Sequence, residues 1–255
     1  MGGGIASTGA TKLAARAALR VGAGLVSVAC DMQSLPIYGA FFQAVMTKLT
    51  ANAEEFSALI TDNRVTAVLV GCGCGVSEKT KAFALFALSL KKPVVLDADA
   101  LTVFEINPQK LFYAINSPSS SNFSCILTPH DGEFTRLFGG FIEDSDRVEK
   151  ARKAAKLSGA VVVLKGFNTI IAAPDDRIAI NNNSTPYLAT AGSGDVLAGI
   201  CVGLLAQSMP AFEAACAGVW LHSEVARNFG AGLIAEDIAE LLPKYLQKII
   251  NLPVN

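Results

Sequence analysis

Three short runs of unbroken apolar residues, Ala67 to Val70, Val94 to Leu96 and Val161 to Leu164, constrain this fold more than any other feature. A strand with one wetted face alternates apolar and polar residues. Runs without alternation belong to strands covered on both faces, as in parallel sheets. Stretches of helical period lie around them. Ala10, Leu13, Ala14, Ala17, Ala18 and Val21 recur at i, i+3 and i+4. Gly22 and Gly24 stop that helix, and Leu25 to Cys30 reads as a strand. Glu78 to Leu90 and Asp144 to Leu157 read as further helices. The alternation predicts an α/β fold, a three-layer αβα sandwich around a mostly parallel central sheet.

Further along, Thr169 to Ala173, the turn Pro174-Asp175-Asp176 and Ile178 to Ile180 read as a hairpin. The last third reads as three helices, Asp195 to Gln207, Ala211 to Phe229 and Ala235 to Ile249, whose exposed faces are candidates for homo-oligomer pairing. Pro118 to Asn122 is the most linker-like segment. It is short enough to be a surface loop, so residues 1–255 are expected to form a single domain.

Composition narrows the function classes. Hydrophobic residues make up 51% and charged residues 17%, which suits a sheet buried on both faces. The longest apolar candidate, Val196 to Ala206, falls short of the ~18 residues of a membrane span and contains Gly199 and Gly203. No signal peptide is visible, and no membrane partner is expected. A net charge of −1 without basic blocks argues against nucleic acid as a partner. The six cysteines (Cys30, Cys72, Cys74, Cys125, Cys201, Cys216) lie mostly in apolar stretches, as reduced thiols of a cytoplasmic protein do. Cys72-Gly73-Cys74 lacks zinc-knuckle spacing, and His130 and His222 are the chain's two histidines.

The chemistry concentrates in Thr190-Ala191-Gly192-Ser193-Gly194-Asp195, which leads directly into apolar Val196 to Ile200. Two glycines let the backbone turn sharply, and the free N–H groups of the following helix then face outward, where phosphate oxygens bind. Asp195 sits at the rim of that turn, where a carboxylate would otherwise repel phosphate. Capping is one explanation, because the helix dipole favours Asp in a first turn. Removing a proton from a hydroxyl beside a phosphate is another. Four apolar runs also end in polar residues: Val70 in Gly71 to Gly75, Leu96 in Asp97 to Leu101, Leu127 in Thr128 to Glu133, and Leu164 in Lys165 to Thr169. Ligands of open α/β sheets gather at such ends. Each residue has a plainer reading singly, as a cap or a solvated charge; their coincidence with Gly-Ser-Gly-Asp points to a site. No Walker phosphate loop, no dinucleotide-binding Gly-x-Gly-x-x-Gly after a strand and no Gly-x-Ser-x-Gly elbow is present.

The Gly-Ser-Gly-Asp helix start resembles the anion hole and catalytic Asp of ribokinase-like kinases. More closely, the chain resembles the ADP- or ATP-dependent NAD(P)H-hydrate dehydratase family. The similarity is carried by Thr8 to Ala10 with Ala17 to Val26, Leu96 to Leu101, Leu127 to Glu133, Leu164 to Thr169, Ala189 to Gly203 and Leu221 to Ser223. It implies a ribokinase-like fold and repair of hydrated NADH or NADPH: a ring hydroxyl is phosphorylated, and phosphate is then eliminated. Asp195 would be the base, and Gly192, Ser193 and Gly194 the anion hole. Ala10, Gly73, His130 and Asp195 would contact the hydrated dinucleotide, and Lys165, Gly166, Phe167, Asn168, Thr169 and Gly194 the nucleotide. ADP or ATP would be co-substrate and Mg²⁺ its companion, with the metal ligands unassigned.

There are departures from the family pattern. The family has a strand before the segment matching Gly2-Gly3-Gly4, so Met1 to Gly4 are expected to be loosely held and the sheet to lack a strand near the nucleotide crevice. Asp131 stands where the family usually has Pro, and Ala191 where it often has Gly. No epimerase domain, which many relatives carry, is evident. Two other readings share the Asp and the turn. One is a hydroxyl kinase of vitamin metabolism, acting on a hydroxymethylpyrimidine or hydroxyethylthiazole; the other is a non-catalytic nucleotide-binding relative.

Overall fold

The structure, a computed structural model, describes residues 1–90, 92–117, 124–142 and 146–250. Helix α1 (Thr8–Arg20) leads into β1 (Ser27–Cys30), α2 (Leu35–Phe41), β2 (Met46–Leu49) and α3 (Ala53–Thr61). The expected apolar runs follow as β3 (Val68–Val70) and β4 (Val94–Leu96), with α4 (Glu78–Ser89) between them. Two short helices, α5 (Asp99–Thr102) and α6 (Pro108–Ile115), precede β5 (Cys125–Leu127). Helices α7 (Asp131–Phe138) and α8 (Arg147–Ser158) precede β6 (Val161–Leu164) and the hairpin β7 (Ile170–Ala172) and β8 (Ile178–Ile180). Three helices complete the order: α9 (Ser193–Ala206), α10 (Ala211–Phe229) and α11 (Ala235–Ile250). The linker-like Pro118 to Asn122 and the expected helix start at Asp144 lie outside the described residues.

Strands β3 to β8 form one six-stranded sheet in chain order, parallel through β6 and antiparallel across β7 and β8. Alternate residues of each strand serve opposite cores. Val68, Val70, Val94, Leu96, Cys125, Leu127, Val162 and Leu164 pack with α3 to α8, whereas Val95, Ile126, Val161, Val163 and Ile171 pack with α1, α9, α10 and α11. This is the expected three-layer αβα sandwich, and no described helix is long and apolar enough to cross a membrane. All six cysteines are free thiols, four of them buried.

Strands β1 and β2 pair in parallel as a separate two-stranded sheet, with a small core of Ala15, Val28, Cys30, Tyr38 and Val45. Here the expectation of a loosely held N-terminus is overturned. The Met1 ammonium donates to Leu69 O at 2.7 Å, and the Gly2 amide to Ala29 O at 2.7 Å. The Gly3 amide donates to Thr11 Oγ1 at 2.8 Å, and the Tyr38 hydroxyl to Gly3 O at 2.8 Å. Without side chains, Gly2 and Gly3 sink into the gap between β1 and β3 and are buried there. The segment is not itself a strand, yet it bonds to both sheets.

The position of the Gly-Ser-Gly-Asp turn depends on how α9 meets α1. At Gly199 an added Cβ would lie 2.2 Å from the Ala14 carbonyl oxygen, so the two helices touch backbone to backbone. Helix α9 is buried on most of its surface, from Val196 to Leu205. Its first turn is thereby fixed over the ends of β3 and β4.

Candidate active site

The turn is held open by Gly192, whose φ of 86° is left-handed and whose added Cβ would lie 2.4 Å from Leu13 Cδ1. The amides of Gly192, Gly194 and Asp195 have no hydrogen-bond partner among the described residues, whereas that of Ser193 donates to Thr190 O at 3.3 Å. Unpaired N–H groups at a helix start carry partial positive charge and suit an anion. His222 of α10 supports the turn from below: its Nε2 bonds Ser193 O at 2.9 Å. Burial pushes the His222 imidazole down to about 4, so the ring is uncharged at neutral pH.

Asp195 faces a chain of polar groups along the strand ends. The ligating atoms of Asp195, Asp97 and Cys72 lie within 4.8 Å of one another. Asp97, 2% exposed, accepts from Lys165 Nζ at 2.8 Å and from Thr128 Oγ1 at 2.7 Å. Lys165 also lies 3.8 Å from Glu133 Oε2. Burial, and then the Asp97 charge, raise the Asp195 carboxyl to about 6, against the opposing effects of the Cys72 thiol and the Lys165 cation. An acid with that midpoint is mostly a free base at neutral pH and binds a proton well.

His130, expected at the substrate, ends the β5 segment and forms a parallel bridge with Lys165. Its Nδ1 accepts from the Gly132 and Glu133 amides at 3.0 and 3.3 Å, and Glu133 Oε2 accepts from the His130 amide at 2.8 Å, a capping box on α7. With Nδ1 accepting, Nε2 carries the proton and lies 3.5 Å from Glu133 Oε1, and the ring is half exposed. His130→Ala is therefore expected to cost about 1 kcal/mol of stability through the lost cap. His130→Asn should restore most of it, and thermal unfolding of the two variants checks this.

The expected substrate residues at the other end also meet: an added Cβ on Gly73 would lie 3.2 Å from Ala10 Cβ. On the far side, a cavity of about 300 Å³ is lined by Lys165, Gly166, Phe167, Thr169, Ser193 and Gly194, with Leu188, Val219 and His222 among its other walls. Five of the six expected nucleotide residues thus share one cavity. Asn168 is exposed and does not line it. The row runs from Ala10 and Gly73 through Asp195, Asp97 and Lys165 to His130, and the cavity opens beside it.

Sequence reasoning missed Arg147. It starts α8, ion-pairs with Asp131 and donates from Nη2 to Lys165 O at 3.1 Å, fixing the Lys165-Gly166 backbone against α7. Its signal is tertiary, since Asp131 and Lys165 lie 16 and 18 residues away in sequence. The Asp97 and Glu133 pairing with Lys165 was hidden for the same reason.

Residues 1–251 match the family model described as NAD(P)H-hydrate dehydratase. The chain is 38% identical over 249 residues to the ADP-dependent (S)-NAD(P)H-hydrate dehydratase of Neisseria meningitidis, covering 94% of this chain and 81% of that one. It is 34% identical to the bifunctional NAD(P)H-hydrate repair enzyme of Escherichia coli, covering 98% of this chain and 47% of that longer protein. The chain thus spans about half the length of its bifunctional relatives. Among solved structures, the ADP/ATP-dependent NAD(P)H-hydrate dehydratase of Bacillus subtilis, co-crystallized with ATP/Mg²⁺, superposes with a TM-score of 0.80 at 25% identity, over 97% of this chain and 89% of that one. A hydroxyethylthiazole kinase of Pyrococcus horikoshii shares the fold at a TM-score of 0.64 and 16% identity.

Proposed function

The chain belongs to the NAD(P)H-hydrate dehydratase family, and from that premise we propose that it restores hydrated NADH or NADPH to the reduced cofactor at the expense of ADP or ATP. One observation carries the reading furthest: a carboxylate with a midpoint near neutrality stands at the start of a helix with unpaired amides, beside a cavity sized for part of a nucleotide.

Hydroxide is a poor leaving group, so direct loss of water from the ring is slow. Asp195 takes the proton of the ring hydroxyl as its oxygen attacks the terminal phosphoryl group of the nucleotide, in a step where a positioned base contributes ~10²–10⁴-fold. The unpaired amides of Gly192, Gly194 and Asp195 stabilise charge on the transferred group, whereas the expected Ser193 amide is already bonded to Thr190 O. The bond to the shortened nucleotide breaks, giving a phosphate ester of the ring. That ester then loses phosphate from one ring carbon and a proton from its neighbour, which restores the double bond of NAD(P)H. Ala10, Gly73 and His130 would position the dinucleotide along the row, and Lys165 to Thr169 the nucleotide. We assign all of this to one dehydratase-like domain over residues 1–255.

Mg²⁺ prefers several oxygen ligands. Among the described residues, the one three-membered group able to converge on an ion is Cys72, Asp97 and Asp195. A thiol is too soft for Mg²⁺, and Asp97 is already paired with Lys165. This set makes no magnesium cage, so the ion belongs to the co-substrate, carried on the nucleotide phosphates.

The test is an incubation of the purified chain with hydrated NADH and either nucleotide. Reduced-nicotinamide absorbance should appear with ADP or ATP and be absent without them. Nucleotide consumption on a hydroxymethylpyrimidine or hydroxyethylthiazole, with none on the hydrate, would favour the kinase reading. Calorimetric nucleotide binding without either product would favour a non-catalytic relative.

A further inference from the structure

Asp97 is not among the residues that the dehydratase reading assigns to ligands. Oδ1 accepts from Lys165 Nζ at 2.8 Å and from Thr128 Oγ1 at 2.7 Å, and Oδ2 accepts from the Cys72 thiol at 3.8 Å. The two contacts to Oδ1 fix the carboxylate in place. A buried carboxylate costs much desolvation energy. Anchoring Lys165 alone does not require it, because Glu133 Oε2 already stands 3.8 Å from the ammonium. What Asp97 adds is a second fixed negative charge beside Asp195, with their oxygens and Cys72 Sγ inside a 4.8 Å group.

We infer that Asp97 is a positioning residue that tunes Asp195 as a proton acceptor: pinned by Lys165 and Thr128, its carboxylate faces that of Asp195 and strengthens the hold of Asp195 on the proton it takes. The inference rests on the reading of Asp195 as the base, and it adds a residue that acts through Asp195 without meeting substrate.

The groups facing Asp195 give the sign. Cys72 and Cys74 approach from the β3 end, Asp97 and Asp99 from the β4 end and Lys165 from β6, with Glu133 of α7 behind Lys165, while His222 of α10 bonds Ser193 O. His222 is neutral, and burial holds both thiols above their ordinary range. The local balance is therefore set by carboxylates against one ammonium. Burial alone would lower the Lys165 ammonium, but Asp97 and Glu133 outweigh burial and raise it, so the cation persists. Asp97 contributes after burial to the rise of Asp195 to about 6. Replacing Asp97 by a neutral amide removes a like charge, so Asp195 should lose its proton at lower pH.

The experiment is an NMR titration of aspartate side-chain carboxyl carbons in the free protein, parent against Asp97→Asn, with Asp195→Asn assigning the signal. The Asp195 midpoint should fall by about one pH unit or more in Asp97→Asn. The acid limb of kcat/KM for hydrated NADH should move by the same amount. If Asp97→Asn does not fold, Asp97→Asn/Lys165→Met is compared with Lys165→Met, which removes the direct effect of the Lys165 cation from both: the Asp195 midpoint should lie lower in the double variant. A purely structural role predicts no difference, and an unmoved Asp195 midpoint in either folded comparison would overturn the inference. Because the titration needs no substrate, a shifted midpoint in a chain without dehydratase activity would refute the proposed function and leave the coupling standing.

Discussion

Asp195→Asn is expected to lower turnover of hydrated NADH by ~10²-fold or more, the loss that follows removal of a positioned general base. Asn keeps the size, and α9 is capped by Gly192 without a side-chain bond, so the turn should persist. Nucleotide affinity should hold or tighten, because a negative charge beside the incoming phosphates is gone. Stability gives an independent check. The folded-state pKa of Asp195 is raised from 3.8 to about 6, so the fold binds this proton better than the unfolded chain does. That contribution is fully present below pH 3.8 and is lost as pH rises through about 6. At neutral pH the parent therefore carries an ill-placed charge that Asn lacks, and the variant should melt no lower than the parent. Lost activity with unchanged or raised melting temperature is the signature of a base. Turnover within a few-fold of the parent, at equal folded fraction, would reject Asp195 as the base.

The second large effect is on stability, at the crossing of α1 and α9. Gly199→Ala places a Cβ 2.2 Å from the Ala14 carbonyl oxygen, a backbone atom with no rotamer to escape into. One helix must move away, which opens the packing around Val196, Ile200 and Leu204. The expected cost is about 2–3 kcal/mol, the range of overpacked cores, or a fall of roughly 4–12 °C in melting temperature for a chain of this size. Gly140→Ala is the control, because its added Cβ meets nothing within 4 Å. It should stay within about 0.5 kcal/mol of the parent. If the two variants melt alike, the close crossing is not what fixes the turn of α9.

The six-stranded sheet was legible because burial on both faces leaves consecutive apolar residues. Val94 to Leu96 and Val161 to Leu164 appear as strands with the boundaries their composition predicts. Strand β2 was not legible. Three of its four residues, Met46, Lys48 and Leu49, are exposed, so no face imposes a pattern. Helix α2 carries Pro36 and Gly39 within a single short turn region and shows no amphipathic period. The misjudged N-terminus has the opposite cause: glycines without side chains give no sign that their backbone is wanted between two strands. In the site, Lys165 and His130 stood out as polar residues after apolar runs, and Asp195 as the carboxylate of a glycine turn that opens one. The pairing of Asp97 and Glu133 with Lys165, and the Arg147 brace, exist only once β4, α7 and α8 converge. Sequence periodicity records which residues are buried, not which charges meet.

The most direct test follows one oxygen atom. Hydrated NADH labelled with heavy oxygen at the ring hydroxyl is turned over with ADP or ATP, and the products are read by mass spectrometry. Phosphorylation of that hydroxyl by the Asp195 site, followed by elimination, predicts the label in released orthophosphate, with one orthophosphate for each reduced nicotinamide formed. Label recovered in water, with orthophosphate unlabelled, would contradict it.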